Sequence, residues 1–413
     1  MRLRDNSEVE EELPDWAKDF VNIQLSKLPA DILVFPATAK ESEDLSDEQL
    51  IFSYDWLKKE YWTTNVMGWL GKGSERITIH SRFDDGREDF FLRYMIEKVF
   101  EANIVNFDLS TSQGMFDLLP FLFPMYLETA LKKGIYKTYV KKQYNDSQVK
   151  GTINIARHIK QNTPFLGKIA YDMRELTADN NITQLIRHTI EFIKSDKKAV
   201  KLHERSVRKI FEVTPSYRRA DKSKIMQANL AIKNPYFHDY RPLIELCQMI
   251  LRGKKSSFGK DKQKVHGILF DGAWLWEEYL ATILTDYKHP RGNESIYQVG
   301  NRAQVRPDFY NDESKIIIDT KYKNVQRDGI KREDRFQIIS YLHYKKFDKA
   351  GILYPSTETK SETEGIMKGL GGEIFKISLK IPQNCAPYDE FVEEIKAEEE
   401  NLIVEMGVKE KEL

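Results

Sequence analysis

Apolar residues along the chain repeat with two periods, and the changes of period divide it. Between about residues 50 and 90, in YWTTNVMGWLGKGSERITIHSRF, Ile77 and Ile79 alternate with polar residues as in a half-buried strand, which predicts a small mixed domain over 1–95. From 96 to 265 the spacing becomes three and four, as in LPFLFPMYLETALKKGIYKTYV and ITQLIRHTIEFIK, and predicts a mainly helical middle region. The hydrophilic stretch RGKKSSFGKDKQK, Arg252 to Lys264, has no period and reads as a linker. Over 266–388 the pattern predicts a helix through GILFDGAWLWEEYLATIL, then strands SIYQVG, QVRPDFY, KIIIDTKY and AGILYPS, with a helix RFQIISYLHYKKF between the last two. That order describes a compact α/β domain, and residues 389–413 read as an acidic tail. The expected class is α+β and multidomain.

Composition narrows this. Of 413 residues, 41% are hydrophobic and 31% charged, with 21 Gly and 14 Pro, which excludes disordered and collagen-like classes. Two cysteines, Cys247 and Cys385, are too few for a disulfide framework and suit packing in a reduced compartment. No apolar run approaches the ~18 residues of a membrane span, and the opening MRLRDNSEVEEELPD is acidic, so a soluble cytoplasmic protein with no membrane contact is expected. The net charge of zero hides an asymmetry: from Asp389 onward ten acids face three lysines, so the preceding residues carry seven net positive charges. A polyanionic partner is compatible with that balance.

Two kinds of chemistry find no support. No Gly-x-x-x-x-Gly-Lys-Ser/Thr occurs, and GKG at Gly71 to Gly73 lacks its spacing, so no nucleotide is expected on this chain alone. The eight histidines show no metal-ligand spacing, and His80, His158 and His188 read as structural or exposed. KKGIYKTYVKKQY interleaves Lys132, Lys133, Lys137, Lys141 and Lys142 with Tyr136, Tyr139 and Tyr144, which suits either a phosphate-tracking surface or a solvated helix face.

The α/β region is more specific. Asp308 follows Pro307 at a strand, and eleven residues on Asp319 ends the apolar run IIID, with Lys321 two positions later. Two residues are one strand period, so Asp319 and Lys321 share a face and Thr320 points to the other. If the two strands are neighbours, two carboxylates and an ammonium meet at one sheet edge. Two carboxylates repel, and a hard divalent cation such as Mg²⁺ relieves the repulsion, while a lysine beside it orients an attacking water and balances charge. Pro-Asp pairs and Asp-x-Lys are each common outside active sites; what adds weight is that both acids lie in strand-like segments. A third carboxylate comes from the upstream helix, Glu277 or Glu278, one of them turned toward the Trp274 and Ala281 side and the other, Glu278 by preference, solvated.

Together these residues resemble the PD-(D/E)xK nuclease core, and residues 100 to 350 resemble the McrC family, the nuclease subunit of McrBC-type and LlaJI-type restriction systems. The resemblance is carried by VKGTINIARHIKQNT and YDMRELTADNNITQLIRHTIEFI, by LFDGAWLWEEYLATIL with Trp276 where a phenylalanine is usual, and by RPDFY, IIIDTKYK and FQIISYLHY. It implies that Asp308 and Asp319 hold Mg²⁺, with Mn²⁺ as a substitute, helped by the Thr320 carbonyl and by Glu277. It implies that Lys321 positions the water, assisted by Lys323 unless that residue instead contacts phosphate outside the site. Gln337 and Tyr341, four apart on one helix face, would brace the site or touch the DNA backbone. The function so implied is a DNA endonuclease subunit acting on double-stranded DNA with an AAA+ GTPase partner (McrB-like), the 1–95 domain being a candidate partner contact. The alternatives are a non-catalytic adaptor that binds DNA and activates the motor, and a stand-alone nuclease of the same fold.

Overall fold

The computed structural model describes residues 1–29, 31–36, 50–85, 88–101, 112–195, 200–252, 265–290, 297–299, 303–325, 329–358, 361–367 and 371–406. The expected linker beyond Arg252, and parts of SIYQVG, lie outside them. The protein is a mixed α+β chain with several sheets. It forms two compact units, Met1–Gly114 with Asp261–Leu413, and Met115–Lys260.

The first unit opens with β1 (Arg2–Arg4), α1 (Asp15–Lys18), β2 (Ile32–Phe35), the hairpin β3 (Phe52–Asp55) and β4 (Glu60–Thr63), β5 (Val66–Lys72), β6 (Glu75–His80) and α2 (Phe90–Val99). In β6 Ile77, Thr78, Ile79 and His80 are all buried, so this strand is covered on both faces at its end instead of being half-exposed.

The middle unit contains most of α3 (Ser112–Lys132), then β7 (Thr138–Asp146), β8 (Thr152–Ile153), α4 (Ile155–Gln161), β9 (Ile169–Thr177), α5 (Asn181–Ser195), α6 (Glu204–Val213), α7 (Lys222–Met226) and α8 (Tyr240–Arg252). Helices dominate it as expected, but it also holds a three-stranded sheet, β7-β9-β8. Most of the Lys/Tyr stretch is not a helix face: Lys132 ends α3, and from Thr138 onward, with Tyr139, Lys141, Lys142 and Tyr144, the chain is β7, paired with β9 along its length. Helical period ends at Gly134, whose φ of +91° suits a chain reversal. Lys141 and Lys142 are held by Asp172 at 2.8 Å and Glu175 at 3.1 Å on the neighbouring strand.

Returning to the first unit, the chain adds β10 (Val265–Asp271), α9 (Gly272–Ile283), β11 (Tyr297–Val299), β12 (Ala303–Val305), β13 (Phe309–Asn311), β14 (Ile316–Thr320), α10 (Arg332–Lys345), β15 (Lys349–Ser356), β16 (Ser361–Ile366), β17 (Glu373–Lys380) and α11 (Tyr388–Glu405). The sequence separates 1–95 from 266–388, whereas β10 lies inside the amino-terminal sheet, ordered β1-β6-β5-β10-β2. GILFD is therefore strand and not the start of a helix. Its apolar run is continuous because a strand buried on both faces has no alternation, and it passes directly into the apolar face of α9. A second sheet, β13-β14-β15-β17-β16, joins parallel β14 and β15 through α10. Ile338, Tyr341 and Leu342 of that helix pack on Ile317, Ala350 and Ile352.

The acidic carboxy-terminal segment is an ordered helix through Glu405, not a solvated tail. Phe391, Ile395 and Leu402 of α11 are buried, and so is Glu399. Glu399 accepts from Tyr279 at 2.7 Å and pairs with Lys98 at 3.2 Å, which ties α11 to α9 and α2.

Candidate nuclease site

β13 and β14 pair antiparallel with Phe309 opposite Ile318, so the residue before β13, Asp308, comes beside Asp319 and Thr320. Asp308 Oδ2 accepts from the Thr320 N–H at 2.6 Å and from its Oγ1 at 2.7 Å. Thr320 thus locks Asp308 through its amide and hydroxyl, although strand alternation alone turns its side chain from Asp319. Lys321, just beyond β14, brings Nζ within 2.7 Å of Asp319 Oδ2 and 3.8 Å of Asp334 Oδ1. It also donates to Gln337 Oε1 at 3.4 Å. Gln337 Nε2 donates to Tyr341 Oη at 2.7 Å, and that hydroxyl donates to the Arg306 carbonyl at 3.0 Å. One face of α10 therefore braces the lysine and the Pro-Asp loop together. Lys323 forms an ion pair with Asp334, the acid that also lies 3.8 Å from Lys321.

α9 delivers the third carboxylate. Its start is set by close approach: a Cβ on Gly272 would lie 2.8 Å from the Tyr322 ring, directly after the Asp-x-Lys. Its buried side is Leu275, Trp276, Tyr279, Leu280 and Ile283, so Trp274 and Ala281 flank the core and both glutamates are half-buried. Glu278 is not a solvated charge; its Oε1 lies 3.9 Å from Nε2 of His289. Sequence reasoning missed that histidine. Its Nδ1 lies 2.8 Å from the Asp308 carbonyl and 3.7 Å from Glu277 Oε1. Nothing in local spacing marks it, because it lies 19 residues from Asp308, just after the bridge residue Lys288, and meets it only through folding.

Electrostatics show how crowded the acids are. Burial, then the Asp308 charge, push Glu277 up to about 7. The same two causes push Asp319 up to about 7 against the pull of Lys321. Burial opposes the charge on Lys321, but Asp319, Asp308 and Asp334 outweigh it and hold the ammonium above its ordinary value. The lysine stays charged while Glu277 and Asp319 hold protons more readily than ordinary carboxylates, the behaviour of acids held close in a poorly solvated place.

The same crowding tests the fit of a hard cation. Asp319 Oδ2 is buried, with the Lys321 ammonium 2.7 Å away. Asp308 and Asp319 offer carboxylate oxygens, the kind of donor that Mg²⁺ prefers. Among the described residues no three His, Cys, Asp or Glu side chains close on one point as metal ligands. The oxygen donors of Asp308 and Asp319 thus fit a hard cation in chemistry.

No curated protein matches the chain. A chain of a half-complex from a tetradecameric assembly of Thermococcus gammatolerans McrB AAA+ hexamers with bound McrC is 14% identical, over 98% of this chain and 100% of that one, with a TM-score of 0.47. A chain of the Thermococcus gammatolerans McrBC complex is 15% identical over 69% of this chain and 87% of that one, with a TM-score of 0.29. The family model described as McrBC 5-methylcytosine restriction system component matches residues 62–355, well over half the chain and the whole stretch from β4 through the Asp308–Lys321 cluster to β15. With that extent of match, the chain belongs to the family of McrBC 5-methylcytosine restriction system components.

Proposed function

We propose that this chain is the DNA endonuclease subunit of an McrBC-like system, hydrolysing phosphodiester bonds with a divalent metal and working with an AAA+ GTPase. The observation that carries the reading is the meeting of Asp308, Asp319 and Lys321 at the end of β14, with Asp319 Oδ2 buried 2.7 Å from the Lys321 ammonium. Asp308 and Asp319, with the Thr320 carbonyl and Glu277, would hold Mg²⁺ or Mn²⁺, which would supply Lewis acidity and an acidified water. Lys321, held by Asp319 and Gln337, donates to the attacking water and offsets the negative charge gained by the phosphate in the transition state. Gln337 and Tyr341 keep that ammonium from swinging outward. Membership of the McrBC family supports an McrB-like AAA+ protein as the proposed partner.

Asp319→Ala tests the site. With partner, GTP and Mg²⁺ present, cleavage of duplex DNA should fall by about 100-fold or more. Cleavage at the wild-type rate would remove the site from consideration. The absence of a closed three-ligand cluster among the described residues favours one second reading, a non-catalytic adaptor that binds DNA and stimulates the motor. Stimulation of GTP hydrolysis without any cleavage by the wild-type pair, in Mg²⁺ and in Mn²⁺, would select it.

A further inference from the structure

We infer that His289 is the positioning residue of the Asp308 loop, its Nδ1–H holding the Asp308 carbonyl while its ring lies on Phe309. The inference rests on Asp308 and Asp319 being the cation site. Three independent contacts place the imidazole. The backbone of Lys288 runs antiparallel to β13, donating to the Tyr310 carbonyl at 2.8 Å and accepting from the Tyr310 N–H at 3.0 Å, so the next residue is delivered beside Phe309 and Asp308. The ring then stacks on Phe309, with centroids 4.7 Å apart and planes at 19°. Finally Nδ1 reaches the Asp308 carbonyl at 2.8 Å. A carbonyl only accepts, so the proton of that bond sits on Nδ1, and Nε2 is turned toward Glu278. The side chain is 10% exposed, so water competes little for the bond.

Asp308 is gripped from two sides as a result. Thr320 fixes its carboxylate and His289 fixes its carbonyl, one residue before the strand begins. A peptide held at both ends keeps its carboxylate in one orientation toward Asp319, and outer partners of this kind are worth about 10- to 100-fold in metal affinity. His289 does this without touching a reacting atom.

Amide isosteres separate the two nitrogens: an asparagine amide overlays Nδ1 and a glutamine amide overlays Nε2, while phenylalanine keeps the stacked ring and loses both. Mn²⁺ binding to the full-length chain, followed by calorimetry, should weaken about 10- to 100-fold in His289→Phe and His289→Gln. His289→Asn should restore affinity to within about threefold of wild type, since it returns the donor to the Asp308 carbonyl. A merely structural role would make Phe, the best stacking replacement, the mildest change. Wild-type affinity in His289→Phe overturns the inference, and so does a loss in His289→Asn as large as in His289→Phe. Should the variants not fold, nitrogen-15 spectra of the histidine-labelled wild type decide: Nδ1 of His289 is protonated in every charge state, and a proton on Nε2 alone overturns the proposal. No Mn²⁺ binding by the wild type is a different result, which removes the cation-site reading itself.

Discussion

Lys321 and Asp319 differ in what a conservative change should do to each. The lysine is confined between Asp319, Asp334 and Gln337, in a space matched to a compact ammonium. Lys321→Arg retains the charge but spreads it over a planar fork that cannot occupy the same point, so cleavage should stay at the level of Lys321→Ala. Near-normal turnover of the arginine variant in a plasmid-nicking assay would reduce Lys321 to a charge neutraliser. A second residue, remote from the acids, sets a pH dependence of stability. His80 is buried near Arg2 and Arg4 with Nδ1 unbonded, and burial first, then those two arginines, push it from 6.5 down to about 4. The unfolded chain takes up this proton near 6.5 and the folded chain only near 4, so the stability is present above 6.5 and is lost as pH falls toward 4. The contribution is on the order of 3 kcal/mol at most. Urea midpoints measured between pH 7.5 and pH 5 should fall with acidification, and less steeply in His80→Asn; equal slopes would assign the dependence to other groups.

At the level of elements, the site is held by pieces far apart in sequence. α9 carries Glu277 and is itself clamped by α2, through Phe91 against Trp276 and Tyr279, and by α11 through Glu399. Tyr279→Phe deletes the donor to a buried carboxylate oxygen of Glu399, which keeps its ion pair with Lys98. The expected destabilisation is about 1–3 kcal/mol, measurable as a shift in denaturant midpoint with unchanged slope. A shift below about 0.5 kcal/mol would mean that water replaces the tyrosine hydroxyl and that α11 is not held there. Elements also differed in how visible they were. KIIIDTKY, AGILYPS and the helix between them have distinct periods and bounding polar residues, and they appear as β14, β15 and α10. GILFD did not announce itself as a strand, because burial on both faces erases alternation. β7 did not either, because a strand exposed on alternate positions and ion-paired to its neighbour has the composition of a polar helix face.

For the whole molecule, the proposed dependence on a motor leads to a separation of functions. The strands of residues 1–95 and the Asp308–Lys321 cluster occupy one compact unit, so the separation cannot rest on independent domains. It requires a change that removes charge and keeps shape. Asp308→Asn leaves an oxygen to accept from Thr320 while halving the charge of the Asp308–Asp319 pair. The wild-type chain alone should cut unselected duplex DNA poorly, and adding the AAA+ partner with GTP should bring on cleavage. With Asp308→Asn, cleavage should be lost while GTP hydrolysis by the partner is still stimulated. Loss of both together would place the site and the partner contact in one mechanical element. Efficient cutting by the isolated wild-type chain would point to a stand-alone nuclease.

What the sequence determined by itself is local. The end of an apolar strand in Asp-x-Lys, a Pro-Asp before another strand, and a Gln and Tyr one helical turn apart follow from chain periodicity, because residues two or four apart share a face wherever the element packs. The family resemblance follows from the same short motifs in order. Tertiary structure alone decided three things. It inserted β10 into the amino-terminal sheet, a pairing between residues about two hundred positions apart that no local period encodes. It folded the acidic segment into a helix whose Glu399 is buried against Tyr279. It also brought His289 to the Asp308 carbonyl from a segment without periodic pattern, because hydrogen bonds and stacking depend on position in space and not on distance along the chain.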